Sequence, residues 1–414
     1  MILLKKRYLV IVMILLSSCN KSNQKVEEKN IHETFGAGTF GYDLDFLRGY
    51  DSAILLLQGE GDSRLIISPK YQGKVFTSTT GGNAGQSFGW INYKAFSAPI
   101  DPHMNAYGGE NRFWLGPEGG VFSLFFEKGT DMVFENWKTP SPIDTEQWSV
   151  VTHDDQSVVL KKDMDLANYT GAKLTLSVDR KISILDRAAI TDRLGLPLDS
   201  AVKSVGYVTD NTITNRGENT WTEKTGMPCI WMLDMFKPSP ATTIIIPYNT
   251  EGINPAGKIA TTDYFGEIPP DRIRYKDGVL FFKADGNKRS KLGINPLRAK
   301  SVAGSYDAQN HVLTVTLFDV DPSGKYLNQE WNTKKPPFSG DAVNAYNDGP
   351  LDDGSIMGPF YEIESVSPAA FLKPGESLSH QHMVIHLTGD ESALGKIMKE
   401  IFGVSNEDVD QALP

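Results

Sequence analysis

Cysteine is scarce in this chain: 414 residues carry two, Cys19 and Cys229. If Cys19 is spent on a lipid, as argued below, Cys229 has no partner and no intrachain disulfide can form. The fold must then stand on its apolar core. Basic residues fall short of acidic ones, 41 against 51. An acidic surface repels phosphate backbones, which excludes nucleic acid as a partner. It suits neutral or cationic small molecules, or divalent cations, without requiring them. Long apolar runs are also missing. The stretch Tyr8 to Leu16 has nine residues, whereas a bilayer span needs about 20. No later stretch is long enough, so the mature body reads as soluble. Gly-x-Gly-x-x-Gly and Walker patterns are absent, as is a Gly-x-Ser-x-Gly elbow, so no dinucleotide, P-loop or hydrolase-elbow site is indicated. Cys-x-x-Cys and His-Glu-x-x-His are absent too, and no metal or other cofactor is assigned.

The N-terminus carries three features in order. Lys5, Lys6 and Arg7 form a basic start, Tyr8 to Leu16 an apolar run, and Leu16-Ser17-Ser18-Cys19 a small-residue close. That is the layout of an export signal. The last four residues resemble the lipobox of bacterial lipoproteins. The resemblance implies cleavage before Cys19, lipid on its thiol and a membrane-anchored product in the cell envelope. Each buried methylene of such a chain contributes about 0.8 kcal/mol. Asn20 to Asn30 is polar and aperiodic, as a spacer should be. Removing residues 1–18 takes away three basic side chains and no acidic one, so the formal charge moves from -10 to -13.

Beyond residue 30 the apolar segments are short and mostly alternate with period two. Ala172–Val178 and His311–Leu317 do so cleanly. Further strand-like runs are Ile54–Leu57, Leu65–Ile67, Val121–Phe126, Val158–Leu160, Cys229–Phe236, Thr242–Ile246, Val279–Phe282 and Ser379–Leu387. Asp277-Gly278, Asp285-Gly286, Arg216-Gly217 and Pro374-Gly375 supply turns between them. Many strands at short intervals predict an antiparallel all-β sandwich. Helix signals are sparse until the end. There, Asp390 caps a predicted helix over Glu391–Phe402 with Gly403 beyond, and Ser405 with Asp408 predicts a capping box. The division expected is residues 1–18 signal, 19–34 lipidated cysteine and spacer, 35–390 sandwich, and 391–414 helical tail.

Asn111-Arg112-Phe113, Ile363-Glu364-Ser365 and Leu372-Lys373-Pro374-Gly375-Glu376, in that order, together resemble the galactose-mutarotase-like superfamily, the β-supersandwich of aldose 1-epimerases. Asn111-Arg112-Phe113 after Gly108-Gly109 is similar to their Asn-Arg-Ile segment. Ile363-Glu364-Ser365 is similar to the Leu-Glu-Thr that carries their catalytic base, and Leu372-Lys373-Pro374-Gly375-Glu376 to the turn into their last strand. Trp114–Gly120, Tyr346–Pro350 and Gly358–Glu364 look more specifically like a group of bacterial lipoproteins within that superfamily, over residues 35–390. The resemblance implies a carbohydrate ligand, Glu364 as base, and Asn111 and Arg112 as hydroxyl-holding groups. One departure counts against the full mechanism. The epimerase Thr-Asn-His acid has no counterpart, because Ile213-Thr214-Asn215-Arg216 offers no histidine.

The candidate residues each have a plainer alternative. Glu362 and Glu364 sit two apart on a strand and share a face. Close carboxylates suit acid–base work or a hard divalent cation; the alternative is a solvated face. His380, His382 and His386 share another strand face, where His382 is a candidate for the missing acid or for a metal. The alternative is a set of rings packed between strands. His103 is a second candidate acid, or an ordinary loop histidine. Arg112 can fork onto sugar hydroxyls or a carboxylate; the alternative is an internal ion pair with Glu110 or Glu118. Trp114 and Trp331 are candidates for stacking on a sugar, and Glu118 joins the substrate-binding group. Arg289 and Lys291 are expected at a solvated hairpin tip, against contact with an anionic sugar. Two functions compete: an epimerase-like enzyme acting at an anomeric centre, and a non-catalytic glycan-binding or structural envelope lipoprotein.

Overall fold

The computed structural model describes residues 35–251, 257–351 and 353–414. The signal segment, Cys19 and the spacer lie outside them. The strands form three sheets, every pairing antiparallel. The largest has ten strands and the second five. A three-stranded sheet is made by Leu55–Gln58, Arg64–Ser68 and Lys74–Thr79. The result is an all-β sandwich with a short helical tail.

The five-stranded sheet positions the site. Its order is Ser290–Ile294, Val343–Asn347, Tyr361–Val366, Cys229–Phe236 and Arg112–Gly116. One face turns toward the ten-stranded sheet and encloses the main core, with Phe113, Met232, Leu292, Ala345 and Ile363 all buried. Because side chains alternate along a strand, the neighbours of these residues point the other way. The long strand Ser377–Thr388 lies within the ten-stranded sheet, paired along its length with Lys203–Asn215.

The last helix spans Glu391–Phe402. Asp390 accepts a hydrogen bond from the Ala393 amide at 2.8 Å, and Gly403 follows at φ 77°. Ser405 and Asp408 form the expected capping box. Leu394, Ile397, Met398 and Phe402 of this helix bury against Met383, Ile385 and Leu387. That apolar face of the last long strand therefore has a cover, and its histidine face is left to the sandwich interior.

Three local expectations differ from the structure. Val121–Phe126 is a turn-rich segment, not a strand. Its aromatic residues are buried all the same, so an apolar run was mistaken for pleated structure. Helices form at Phe40–Tyr50 and Arg187–Leu194. The first is capped by Thr39 and packs Phe40, Leu44 and Leu47 against Ile66 and Phe76. The second is capped by Asp186 and buries only Ile190, so its sequence has little apolar periodicity to announce it.

Candidate functional site

The site is built on the outward face of the five-stranded sheet. Register places Lys291 opposite Tyr346, and Tyr346 opposite Glu362. One row along, Asn344 lies opposite Glu364, Glu364 opposite Leu233, and Leu233 opposite Arg112. Trp231 and Trp114 pair in the next row. Five strands thus bring two carboxylates, two cations and two indoles onto one surface. The turn before Arg112 depends on Gly108, at φ 85°, where a Cβ would come within 2.3 Å of the Trp90 carbonyl oxygen.

These charges are paired. Arg112 Nη2 donates to Glu362 Oε1, and both residues are buried. The guanidinium stands 5.0 Å from the centroid of Trp114. Lys291 Nζ lies 3.0 Å from each oxygen of Glu364. Trp231 Nε1 donates to Glu364 Oε2 at 2.8 Å. Glu364 has no exposed surface. Neither glutamate therefore stands on a solvated face. Burial pushes the Glu362 carboxyl up to about 8; Arg112 opposes the shift and Glu364 reinforces it. Burial acts to lower Lys291, but Glu364, Glu118 and Glu362 outweigh it and hold the amine above its ordinary value.

Above this floor opens a cleft of about 680 Å³, a volume in the range that drug-sized ligands occupy. Lys291, Asn344 and Tyr346 reach it from the sheet, and Glu118, Gln329 and Trp331 from two flanking loops. Phe134, Phe265, Leu351 and Met357 line its sides and are exposed. The Glu118 carboxyl is raised by burial, against the pull of Lys291 and a hydrogen bond from Trp331. Asp348, also lining the cleft, accepts from Tyr346 Oη at 2.9 Å and from the Gly358 amide at 2.7 Å. Polar groups are thus gathered at the base, with aromatic and aliphatic walls above, an arrangement that fits a ligand with both hydroxyls and C–H faces.

The sequence candidates divide between two places. Glu118 and Trp331 line the cleft, and Arg112, Trp114, Glu362 and Glu364 form the surface beneath it. Asn111 does not join them. It points into the sandwich, donating to Asp234 Oδ1 at 2.7 Å and accepting from Arg180 Nη2 at 2.5 Å, because it precedes Arg112 and so faces the other way. His382 is interior as well, its ring bonded to Ser365 Oγ at 2.8 Å and Asp234 Oδ2 at 2.7 Å. His380 and His386 are likewise buried there, bonded to Ser365 and to Glu110 with Thr314. His103 bonds the Trp137 carbonyl at 2.6 Å and stacks on Phe134 at 4.6 Å, one layer behind the cleft wall. No described histidine lines the cleft. Among the described residues no group of three or more His, Cys, Asp or Glu side chains is arranged to hold a metal ion.

Other groups were missed or misjudged. Lys291 is buried in a strand, not placed at a solvated tip. Tyr264, Asn344 and Tyr346 line the cleft without having been singled out. Tyr346 lies two positions before Asp348 on an alternating segment, which was a usable signal. Tyr264 comes from a loop and gave none.

A family model matches residues 38–413. The chain belongs to DUF6786, a family of unknown function. No curated protein matches this DUF6786 chain in sequence. Solved structures similar to it include a Synechocystis protein at 13% identity, covering 81% of this chain and 96% of that one, with a TM-score of 0.49. A galactose mutarotase-like protein from Lactobacillus casei shares 11% identity over 81% of this chain and all of its own, TM-score 0.46. A galactose mutarotase related enzyme from Lactobacillus acidophilus shares 9% over 81% and 97%, TM-score 0.42.

Proposed function

We propose that this DUF6786 protein is an exported lipoprotein whose cleft binds carbohydrate. The observation that carries the binding reading is the construction of the cleft. Polar and charged groups converge at its base, and Trp331, Phe134 and Phe265 stand on its walls, where they can meet the C–H faces of a pyranose. The state of Glu364 favours binding over epimerase-like catalysis. Its Oε2 accepts from Lys291 and Trp231, its Oε1 lies 3.0 Å from Lys291 Nζ without a hydrogen bond, and the residue is fully buried. A general base must reach the proton that it removes. Glu362 and Glu364 then serve chiefly as hydrogen-bonding partners that hold Arg112 and Lys291 in place.

A second reading has one observation in its favour. Glu118 lines the cleft with its carboxyl raised by burial, while Lys291 beside it is held charged. A carboxyl that burial inclines to keep its proton can serve as a general acid, and here it would act at an anomeric centre.

Calorimetric titration with a panel of neutral and acidic mono- and oligosaccharides tests the first reading. Binding that weakens on Trp331→Ala and Lys291→Met is expected, and failure of every sugar to bind would end it. NMR measurement of anomer exchange on any sugar that binds tests the second. Equal exchange rates with wild type, Glu118→Gln and Glu364→Gln would remove it. Export and tethering rest on the basic, apolar and small-residue sequence that ends at Cys19. Incorporation of labelled fatty acid, abolished by Cys19→Ser, is the expected result; equal labelling of the variant would refute the tether.

A further inference from the structure

Three cations belong to the cleft and its floor, and two are matched. Arg112 has Glu362, and Lys291 has Glu364. Arg289 differs. It lies just before the strand Ser290–Ile294, is exposed, and lines the cleft. Its guanidinium carbon stands 3.9 Å from the centroid of Phe265, and its Nε donates to Tyr346 Oη at 3.3 Å. The same Tyr346 hydroxyl donates onward to Asp348, whose other oxygen is taken by the Gly358 amide. Among the described residues Arg289 makes no ion pair, and its two terminal amino groups have no hydrogen-bond partner. The side chain is therefore oriented by a ring on one side and a phenol at Nε, with its outer fork unused.

We propose that the cleft takes a sugar bearing an anionic substituent, whose oxyanion is held by the terminal nitrogens of Arg289. This deepens the carbohydrate reading and rests on it. A planar fork fixed before binding gives up little freedom when it pairs, and it matches a carboxylate or a phosphate ester in two parallel hydrogen bonds. Phe265 stacks on the guanidinium, and Leu351 and Met357 add apolar surface to the same cleft. Three carboxylates line the same cleft and each already has partners: Glu330 pairs with Lys335, Asp348 accepts from Tyr346 and the Gly358 amide, and Glu118, raised by burial, is pulled back first by Lys291 and a hydrogen bond from Trp331. Lys291, whose charge is paired with Glu364, is left to bond hydroxyls.

The test uses the full protein and calorimetric titration with galacturonate and its oligomers, galactose and its oligomers, and galactose 6-phosphate. At low salt the acidic sugars are expected to bind at least about tenfold more tightly than the neutral ones, the gain of one charge-assisted pair. The preference should shrink as salt rises, vanish in Arg289→Ala and survive in part in Arg289→Lys. Thermal melts of both variants check that they fold. Gain restricted to galacturonate identifies a carboxylate, gain restricted to the phosphate identifies a phosphate ester, and either supports the proposal. Neutral and acidic sugars bound equally would overturn it and leave the carbohydrate reading standing, as would a preference that persists in Arg289→Ala. Should no sugar bind while inorganic phosphate binds in an Arg289-dependent way, the carbohydrate reading and the sugar named here both fall, and only an anion site remains.

Discussion

The two faces of the five-stranded sheet carry nearly the same chemistry to different ends. On the inner face Asn111, Asp234 and Ser365 meet Arg180, Asn211, His380 and His382 from the opposing strands. On the outer face Arg112, Glu362, Glu364 and Lys291 meet one another. All of these residues are buried. The inner groups find their partners across the sandwich. Burial pushes Arg180 down to about 10, and His380 down to about 3 with His382 adding to the effect. The outer groups pair within their own sheet and lie beneath open volume. Buried charge therefore does not by itself mark a site; what matters is whether a cavity faces the groups that hold it.

The strongest way to break this comparison is Asp234→Ala. It strips a partner from both Asn111 and His382, within a network that includes Arg180. Removing one member of a buried charged network costs about 3–5 kcal/mol, read by urea unfolding. Stability within about 1 kcal/mol of wild type would show that the inner face is not the structural one.

Lys74 sharpens the contrast among cations. It is buried, donates to the Gly108 carbonyl at 3.1 Å and makes no ion pair among the described residues. Burial, then repulsion from Arg112, pushes its amine down to about 7 from 10.5. Between those values the unfolded chain holds a proton that the folded chain has shed, so stability rises with pH across that window. Below about pH 7 the cost is present in full. Lys74→Met should therefore stabilise the protein by about 1–3 kcal/mol in mildly acidic buffer, with a gain that fades toward pH 10. A gain that grows with pH would reverse the assignment. Lys291, kept charged by Glu364, should show the opposite: Lys291→Met destabilises at neutral pH.

On the cleft side Glu118→Gln should weaken sugar binding by about 0.5–1.5 kcal/mol, the range for a single hydrogen bond. Its unfolding free energy should move by less than about 0.5 kcal/mol. Loss of stability without loss of affinity would move Glu118 to the structural class.

Alternation made much of this legible. The strands Cys229–Phe236 and Ser377–Thr388 fall where period-two patterning put them, and the shared faces of Glu362 with Glu364 and of His380 with His382 follow from the same count. A one-residue step explains the failures equally well. Asn111 and Arg112 were assigned one role together, yet adjacent strand residues face opposite layers, and only Arg112 reaches the cleft side. Which face of Ser377–Thr388 turns inward depends on where the C-terminal helix docks, and that contact is not written in the strand. Tyr264 and Arg289 reach the cleft from a loop and a strand edge, where no periodicity applies. The helix Arg187–Leu194 buries a single side chain, so its pattern was too thin to read.

The smallest expected effects separate two rings of one aromatic cluster. Trp331 lines the cleft, and Trp137 stacks on it at 6.0 Å. His103 stacks on Phe134 and bonds the carbonyl of that same Trp137, so it touches the cleft only through others. A stacking ring in direct contact with a sugar contributes on the order of 0.5–1.5 kcal/mol, and Trp331→Ala should lose about that much affinity. His103→Gln preserves one donor and one acceptor and should shift affinity by no more than a few tenths of a kcal/mol. If His103 were the missing acid instead, its replacement would slow anomer exchange on any sugar that binds. Equal rates for both proteins are the expected result, since the ring faces a carbonyl and not the open volume.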